Sequence, residues 1–126
     1  PLLISAAGCQ TRLELERPML SGYVGNDLVQ YARRPDGNFL RVYQNHKDSG
    51  NITPFIHYYT GFSEDSSDKS LVDRVEITFD LTQEPIVYDL STQAGRDFIR
   101  EHAQKEFDVY VQEIIIQKTR LTPKKE

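Results

Sequence analysis

Residues 28–44, LVQYARRPDGNFLRVYQ, decide the fold, because they read as two strands closed on a tight turn. Pro35 presets the backbone for the first corner, Asp36 bonds back to the chain, and Gly37 accepts a positive φ. A three-residue loop with Arg34 opposite Asn38 puts Arg33 across from Phe39, Tyr31 across from Arg41, and Val29 across from Tyr43. The other side then carries Leu28, Gln30, Ala32, Leu40 and Val42, the smaller and more apolar set, which is expected to face the core. The outward set of Tyr31, Arg33, Phe39, Arg41 and Tyr43 is the leading binding candidate. Arginine planes beside aromatic rings stack on nucleobases, nicotinamide or a partner's aromatics. Cross-strand pairing, at ~0.2–1 kcal/mol per pair, is the simpler role for the same side chains.

Working outward, TRLELER (11–17) alternates Leu13 and Leu15 with charged residues, the period of a half-buried strand. The following RPMLSGYVGND reads as loop from Pro18, Gly22, Gly25 and Asn26. NHKDSGN is a second turn cluster, and ITPFIHYYTGF a further strand with Pro54 near its start. SEDSSDKS is a polar, acidic loop. Val75, Ile77, Phe79 and Leu81 alternate as a strand with one dry face, and PIVYDL continues as a short extended piece. Ala94, Phe98, Ile99, His102 and Ala103 recur at helical spacing over about 92–105, with Ser91 or Thr92 as the cap and Gly95 weakening the first turn. FDVYVQEIIIQ (107–117) is apolar on both sides and reads as a central strand. The expected architecture is a single α+β domain over 1–120, a mostly antiparallel sheet of five to seven strands with one main helix packed on it. Residues 121–126 are expected to form a basic flexible tail.

The 126 residues carry a net charge of −4, which argues against general nucleic-acid binding through a basic face. No apolar run approaches the roughly 20 residues needed to span a bilayer. A single cysteine, Cys9, makes no intramolecular disulfide and suits a reducing compartment, so the cytoplasm is the expected location. The segment LISAAGC nevertheless resembles the lipobox of bacterial lipoprotein precursors, with small residues at Ala7 and Gly8 before Cys9 and a polar QTR after it. That resemblance implies removal of the chain through Gly8, acylation of Cys9, and a periplasmic or outer-membrane place. The competing expectation, which we favour, is a buried strand over Leu2, Leu3 and Ile4.

Two residues are catalytic candidates. Strict alternation in a strand at 107–117 buries Glu113 among Val109, Val111 and Ile115, which raises its pKa, whereas a bulge at Gln112 turns it to solvent. His57 beside Tyr58 and Tyr59 is the other, although a lone strand histidine is more often a hydrogen-bonded structural residue. No metal-ligand spacing and no cofactor-binding motif occurs, so neither metal nor cofactor is expected. VEITFDLTQEPIVYDL, a helix, then EFDVYVQEIII is similar in layout to the C-terminal half of small ADP-ribosyltransferase domains, which implies an acid at the head of the late strand, here Glu106 or Asp108. The leading functional expectation is a non-enzymatic protein-interaction module, such as an immunity or inhibitor protein or an assembly subunit, that binds another protein through the hairpin face and the acidic 63–68 loop. The alternatives are a small enzyme acting on a nucleotide or RNA, of ADP-ribosyltransferase-like or ribonuclease-like type, and a lipoprotein anchored through Cys9. The enzyme would hold phosphate with Arg33 or Arg41 and move a proton with Glu113 or His57.

Overall fold

A computed structural model describes residues 20–35, 37–63 and 68–121. The expected strands at 2–4 and 11–17, Cys9, most of the acidic loop and the last five residues lie outside them. Among the described residues six strands run β1 (Leu20–Val24), β2 (Asp27–Arg34), β3 (Gly37–Tyr43), β4 (Phe55–Thr60), β5 (Val72–Thr78) and β6 (Ile86–Asp89). They form one antiparallel sheet in chain order, so each strand pairs with its predecessor. A single turn of helix, α1 (His46–Ser49), fills the β3–β4 connection. The chain ends its described course in a long helix: α2 (Gln93–Phe98), a π-helical turn at Ile99–Ala103, and α3 (Gln104–Leu121). The fold is α+β, with that helix packed on one face of the sheet.

The helix replaces the strand expected at 107–117. Val109, Tyr110, Val111 and Ile114–Ile116 favour strands intrinsically, but tertiary packing overrides propensity. Ile99, Ala103, Phe107 and Ile114 form one stripe at helical spacing, and all are buried against the sheet. Their partners are Val29, Tyr31, Leu40, Val42, Tyr58, Val72 and Val75. Thr92 caps the start, its Oγ1 accepting from the Gly95 N–H at 3.0 Å. Gly95 is needed there, because a Cβ would fall 2.0 Å from the Asp89 carbonyl oxygen. The helix start therefore presses directly on the end of β6.

Three further differences follow from hydrogen-bond register. The stretch around Gly25 and Asn26, expected as loop, closes a β1–β2 hairpin: Val24 pairs with Asp27, and Gly25 takes φ +62°. Within β1, Gly22 gives room for the helix, since a Cβ would meet Gln117 Oε1 at 2.7 Å and Ile114 Cδ1 at 2.9 Å. At the β2–β3 hairpin Arg34 pairs with Gly37, not Asn38, so the loop has two residues rather than three. A one-residue slip turns one strand over relative to the other. Val29 and Tyr31 join Leu40 and Val42 in the core, while Leu28, Gln30 and Ala32 lie on the opposite face with Phe39, Arg41 and Tyr43. Lastly, β5 stops at Thr78, and Phe79 and Leu81 are exposed in the turn that follows.

Polar ties fix the helix to the sheet beneath. Tyr58 donates to Glu106 Oε1 at 2.9 Å, Tyr110 to Asp27 Oδ2 at 2.8 Å, and the Gln117 amide to the Tyr23 carbonyl at 2.6 Å. The Val72 N–H donates to Gln104 Oε1 at 2.7 Å. Each satisfies a polar group at the rim of the core, where an unpaired one would cost ~1–3 kcal/mol. The helix is thereby confined to one face, and no described helix covers the other.

Candidate functional site: the open face of the sheet

Cross-strand register sorts the open face into rows. Gln30, Arg41, His57 and Glu76 stand side by side on β2, β3, β4 and β5. On one flank lies Tyr43 with Phe55, and on the other Phe39 with Tyr59 and then Arg74 and Asp89. A polar row thus runs between two aromatic ones. Strands in a sheet are ~4.8 Å apart, which sets neighbouring rings at contact distance. Phe55 lies 4.9 Å from the His57 ring, Phe39 5.1 Å from it, and Tyr59 5.3 Å from Phe39. Tyr43 continues the surface to Phe55 at 5.7 Å, and Phe62 extends it beyond Tyr59 at 5.2 Å.

Arginines are laid over these rings. The Arg41 guanidinium sits 5.2 Å from the Phe39 ring centre and 5.8 Å from that of Tyr43. Its Nε donates to His57 Nε2 at 2.9 Å, and its Nη1 to Gln30 Oε1 at 3.3 Å and Tyr43 Oη at 3.0 Å. An arginine nitrogen only donates, so His57 Nε2 must accept and the neutral ring carries its proton on Nδ1. That nitrogen faces Tyr59 Oη at 3.4 Å, and the Tyr59 hydroxyl reaches Glu76 Oε1 at 3.5 Å. Burial first, then the Arg41 charge, pushes His57 down to about 4 from its usual 6.5, against a smaller opposing pull from Glu76. The histidine is therefore a neutral acceptor at neutral pH.

At the far end Arg74 donates to Glu76 at 2.8 Å, lies 3.8 Å from Asp89, and stacks 4.5 Å over Phe62. Phe62 is held there because the buried Asp73 carboxylate accepts the backbone N–H groups of Phe62 and Ser63, at 3.1 and 2.9 Å. Phe62, Ser63, Asp73, Arg74, Asp89 and Leu90 bound a cleft of about 580 Å³ that opens beside the aromatic row.

The candidates read from sequence divide. Phe39, Arg41 and Tyr43 stand together on the open face, as the hairpin suggested. Tyr31 is instead buried under the helix against Phe107, and Arg33 shares its side of β2 and is exposed. His57 joins Arg41 directly. Glu113 is exposed on α3 and is not buried among Val109, Val111 and Ile115. The layout shared with ADP-ribosyltransferases loses its late strand: Glu106 and Asp108 are helical, and Glu106 accepts from Tyr58. Of the four residues expected to converge in an enzyme cleft, Arg41 and His57 meet, and Arg33 and Glu113 do not. The sequence pattern had hidden Phe55 and Tyr59, although FIHYY alternates them with His57 at the two-residue period of one strand face.

Among the described residues no group of His, Cys, Asp and Glu side chains is placed to hold a metal ion, and no helix is long and apolar enough to cross a membrane. No protein-family model, curated protein or solved structure matches the chain.

Proposed function

We propose that the chain is a protein-interaction module whose docking surface is the open face of the sheet. The observation that carries this reading is the pair of aromatic rows, half-buried Tyr43 and Phe55 on one flank and buried Phe39 with half-buried Tyr59 on the other, joined through the His57 ring and interleaved with Arg41 and Arg74 on a face that no described helix covers. Tyrosine and arginine dominate the energetics of protein interfaces, because each offers a large flat contact with a polar tip. These side chains are already fixed by mutual contacts, so a partner loses less entropy in ordering them. The cleft beside Phe62 gives a partner's side chain somewhere to insert. Both immunity or inhibitor proteins and assembly subunits use such surfaces.

A photo-crosslinking residue at Tyr43, compared with one at the exposed Lys105 on the helix, tests this in the native cell. One discrete adduct from position 43, weakened by Phe55→Ala and Phe62→Ala and absent from position 105, is expected. Equal labelling from both positions would refute the reading.

The Arg41–His57 contact favours a second reading, a small enzyme acting on a nucleotide or RNA, with Arg41 on phosphate and His57 accepting a proton. It predicts ribonucleotide turnover that His57→Gln abolishes. The lipid-anchored alternative predicts a diacylglyceryl adduct on Cys9 of the natural polypeptide, read by mass spectrometry.

A further inference from the structure

We propose that Arg41 anchors a carboxylate supplied by the docking partner, so that the open face selects an acidic segment flanked by apolar or aromatic side chains. This rests on the reading of the face as a docking surface and names what the surface recognises.

The guanidinium is positioned without being neutralised. Its Nε and Nη1 donate to His57, Gln30 and Tyr43, all uncharged acceptors. Among the described residues no carboxylate lies within 4.0 Å of it, and Nη2 has no hydrogen-bond acceptor. The acids on the same face are engaged elsewhere, since Glu76 and Asp89 both turn to Arg74. A half-buried cation with rings on two sides has lost part of its hydration and meets no counter-ion among the described residues in return. An incoming carboxylate would restore that loss through the free Nη2 protons, in surroundings where aromatic walls exclude water and strengthen the bond. The half-buried rings of Tyr43 and Phe55 would receive its apolar neighbours.

The local charge selects the class of anion. Arg41 brings one positive charge, and Glu76 stands one strand beyond His57 on the same row. That balance suits a single carboxylate and repels a phosphate dianion or a polyanionic strand, in keeping with the net charge of −4. Because three neutral acceptors already orient the guanidinium, geometry and not charge alone is recognised, which is why arginine rather than lysine stands here.

The test uses two N-acetylated peptide amides, Phe-Glu-Phe and Phe-Gln-Phe, at millimolar concentration, with the Arg41 Nε–H and the Tyr43 amide followed by NMR. The glutamate peptide should shift both signals and bind about three- to five-fold tighter than the glutamine peptide. Arg41→Gln should erase that difference, and Arg41→Lys, which retains the charge, should recover only part of it. Circular dichroism establishes that each variant is folded. Equal affinity of the two peptides, no saturable shift with either, or tighter binding of inorganic phosphate at Arg41 would each overturn the proposal. Crosslinking through Tyr43 that persists undiminished in Arg41→Gln would leave the docking surface in place and remove the carboxylate anchor alone.

Discussion

His57 should make the folded protein acid-sensitive in a way that one substitution removes. The ring lies between Phe39 and Phe55, accepts from Arg41 through Nε2, and faces Tyr59 through Nδ1. A second proton on Nε2 would point at the Arg41 Nε–H, setting donor against donor and cation against cation. Glu76, itself bound by Arg74 and Tyr59, offsets little of this. The folded imidazole therefore binds its proton more weakly than the unfolded one, with a pKa of about 4 against 6.5. Acid binds preferentially to the unfolded chain. The histidine's contribution to stability is whole above pH 6.5, declines as pH falls from there to about 4, and is constant below.

The drop from 6.5 to about 4, at about 1.4 kcal/mol per pH unit, sets an upper limit of about 3–4 kcal/mol. The ring is only half-buried, so solvent screening reduces the expected loss to about 1–2 kcal/mol. Urea denaturation of the native protein and of His57→Gln, repeated from about pH 7 to about pH 4, isolates this contribution from the carboxylates that titrate alongside. Glutamine accepts from Arg41 and donates toward Tyr59 but carries no titrating proton. The stability advantage of the native protein over the variant should shrink by ~1–2 kcal/mol across that interval. A difference that stays flat or grows on acidification would refute the arrangement of Arg41, His57 and Tyr59 described here.

Gly95→Ala should destabilise by about 1–3 kcal/mol, despite alanine's better helix propensity, because its Cβ has no space beside the Asp89 carbonyl. Gly22→Ala should cost less, since the nearest atoms there are side-chain ends of Gln117 and Ile114; thermal melts of the two variants make the comparison. Ile114→Ala should cost about 2–5 kcal/mol and the exposed Ile115→Ala about 1 kcal/mol or less. Equal losses at 114 and 115 in urea titrations would instead favour a strand buried on both faces. The Tyr58 and Tyr110 phenols are held well above the usual 10, by burial first and then by Glu106 for Tyr58 and by the Asp27 hydrogen bond for Tyr110. Their contribution is whole below pH 10 and lost above it, so alkaline ultraviolet titration should find both silent until the protein unfolds.

What could be read in the sequence depended on whether the signal was local. PDG between alternating runs marks a hairpin by its own chemistry, and Thr92 marks a helix start by its cap, so both were legible. The register at Arg34 and Gly37 was not. It is bound up with contacts to β4, where the Asn38 N–H donates to Thr60 Oγ1 and a Cβ on residue 37 would lie 1.9 Å from the Thr60 carbonyl oxygen. Likewise 107–117 carries β-branched and aromatic residues on every side, and only continuation of the Ile99–Ala103 stripe through Phe107 to Ile114 distinguishes helix from buried strand. Exposed Val109 and Ile115 mask that stripe in the bare sequence.

The same reasoning explains why the candidate site was half visible. Phe39, Arg41 and Tyr43 share a side by the two-residue period alone, and so do Phe55, His57 and Tyr59. What makes them one surface is the pairing of Arg41 with His57 across β3 and β4, which depends on how the intervening chain through α1 sets the two strands. A one-residue shift there would turn Phe55, His57 and Tyr59 under the helix and bring Ile56 and Tyr58 beside Arg41. The cation would then face apolar neighbours in place of the imidazole acceptor, and the helix would meet a histidine in its core. Burial of an aliphatic or aromatic side chain is favourable by ~1.5–3 kcal/mol, and an uncompensated buried polar group costs a comparable amount, so both faces oppose the slip. Core and binding face thus fix each other: the packing that buries Tyr58 against Phe107 also sets His57 on Arg41.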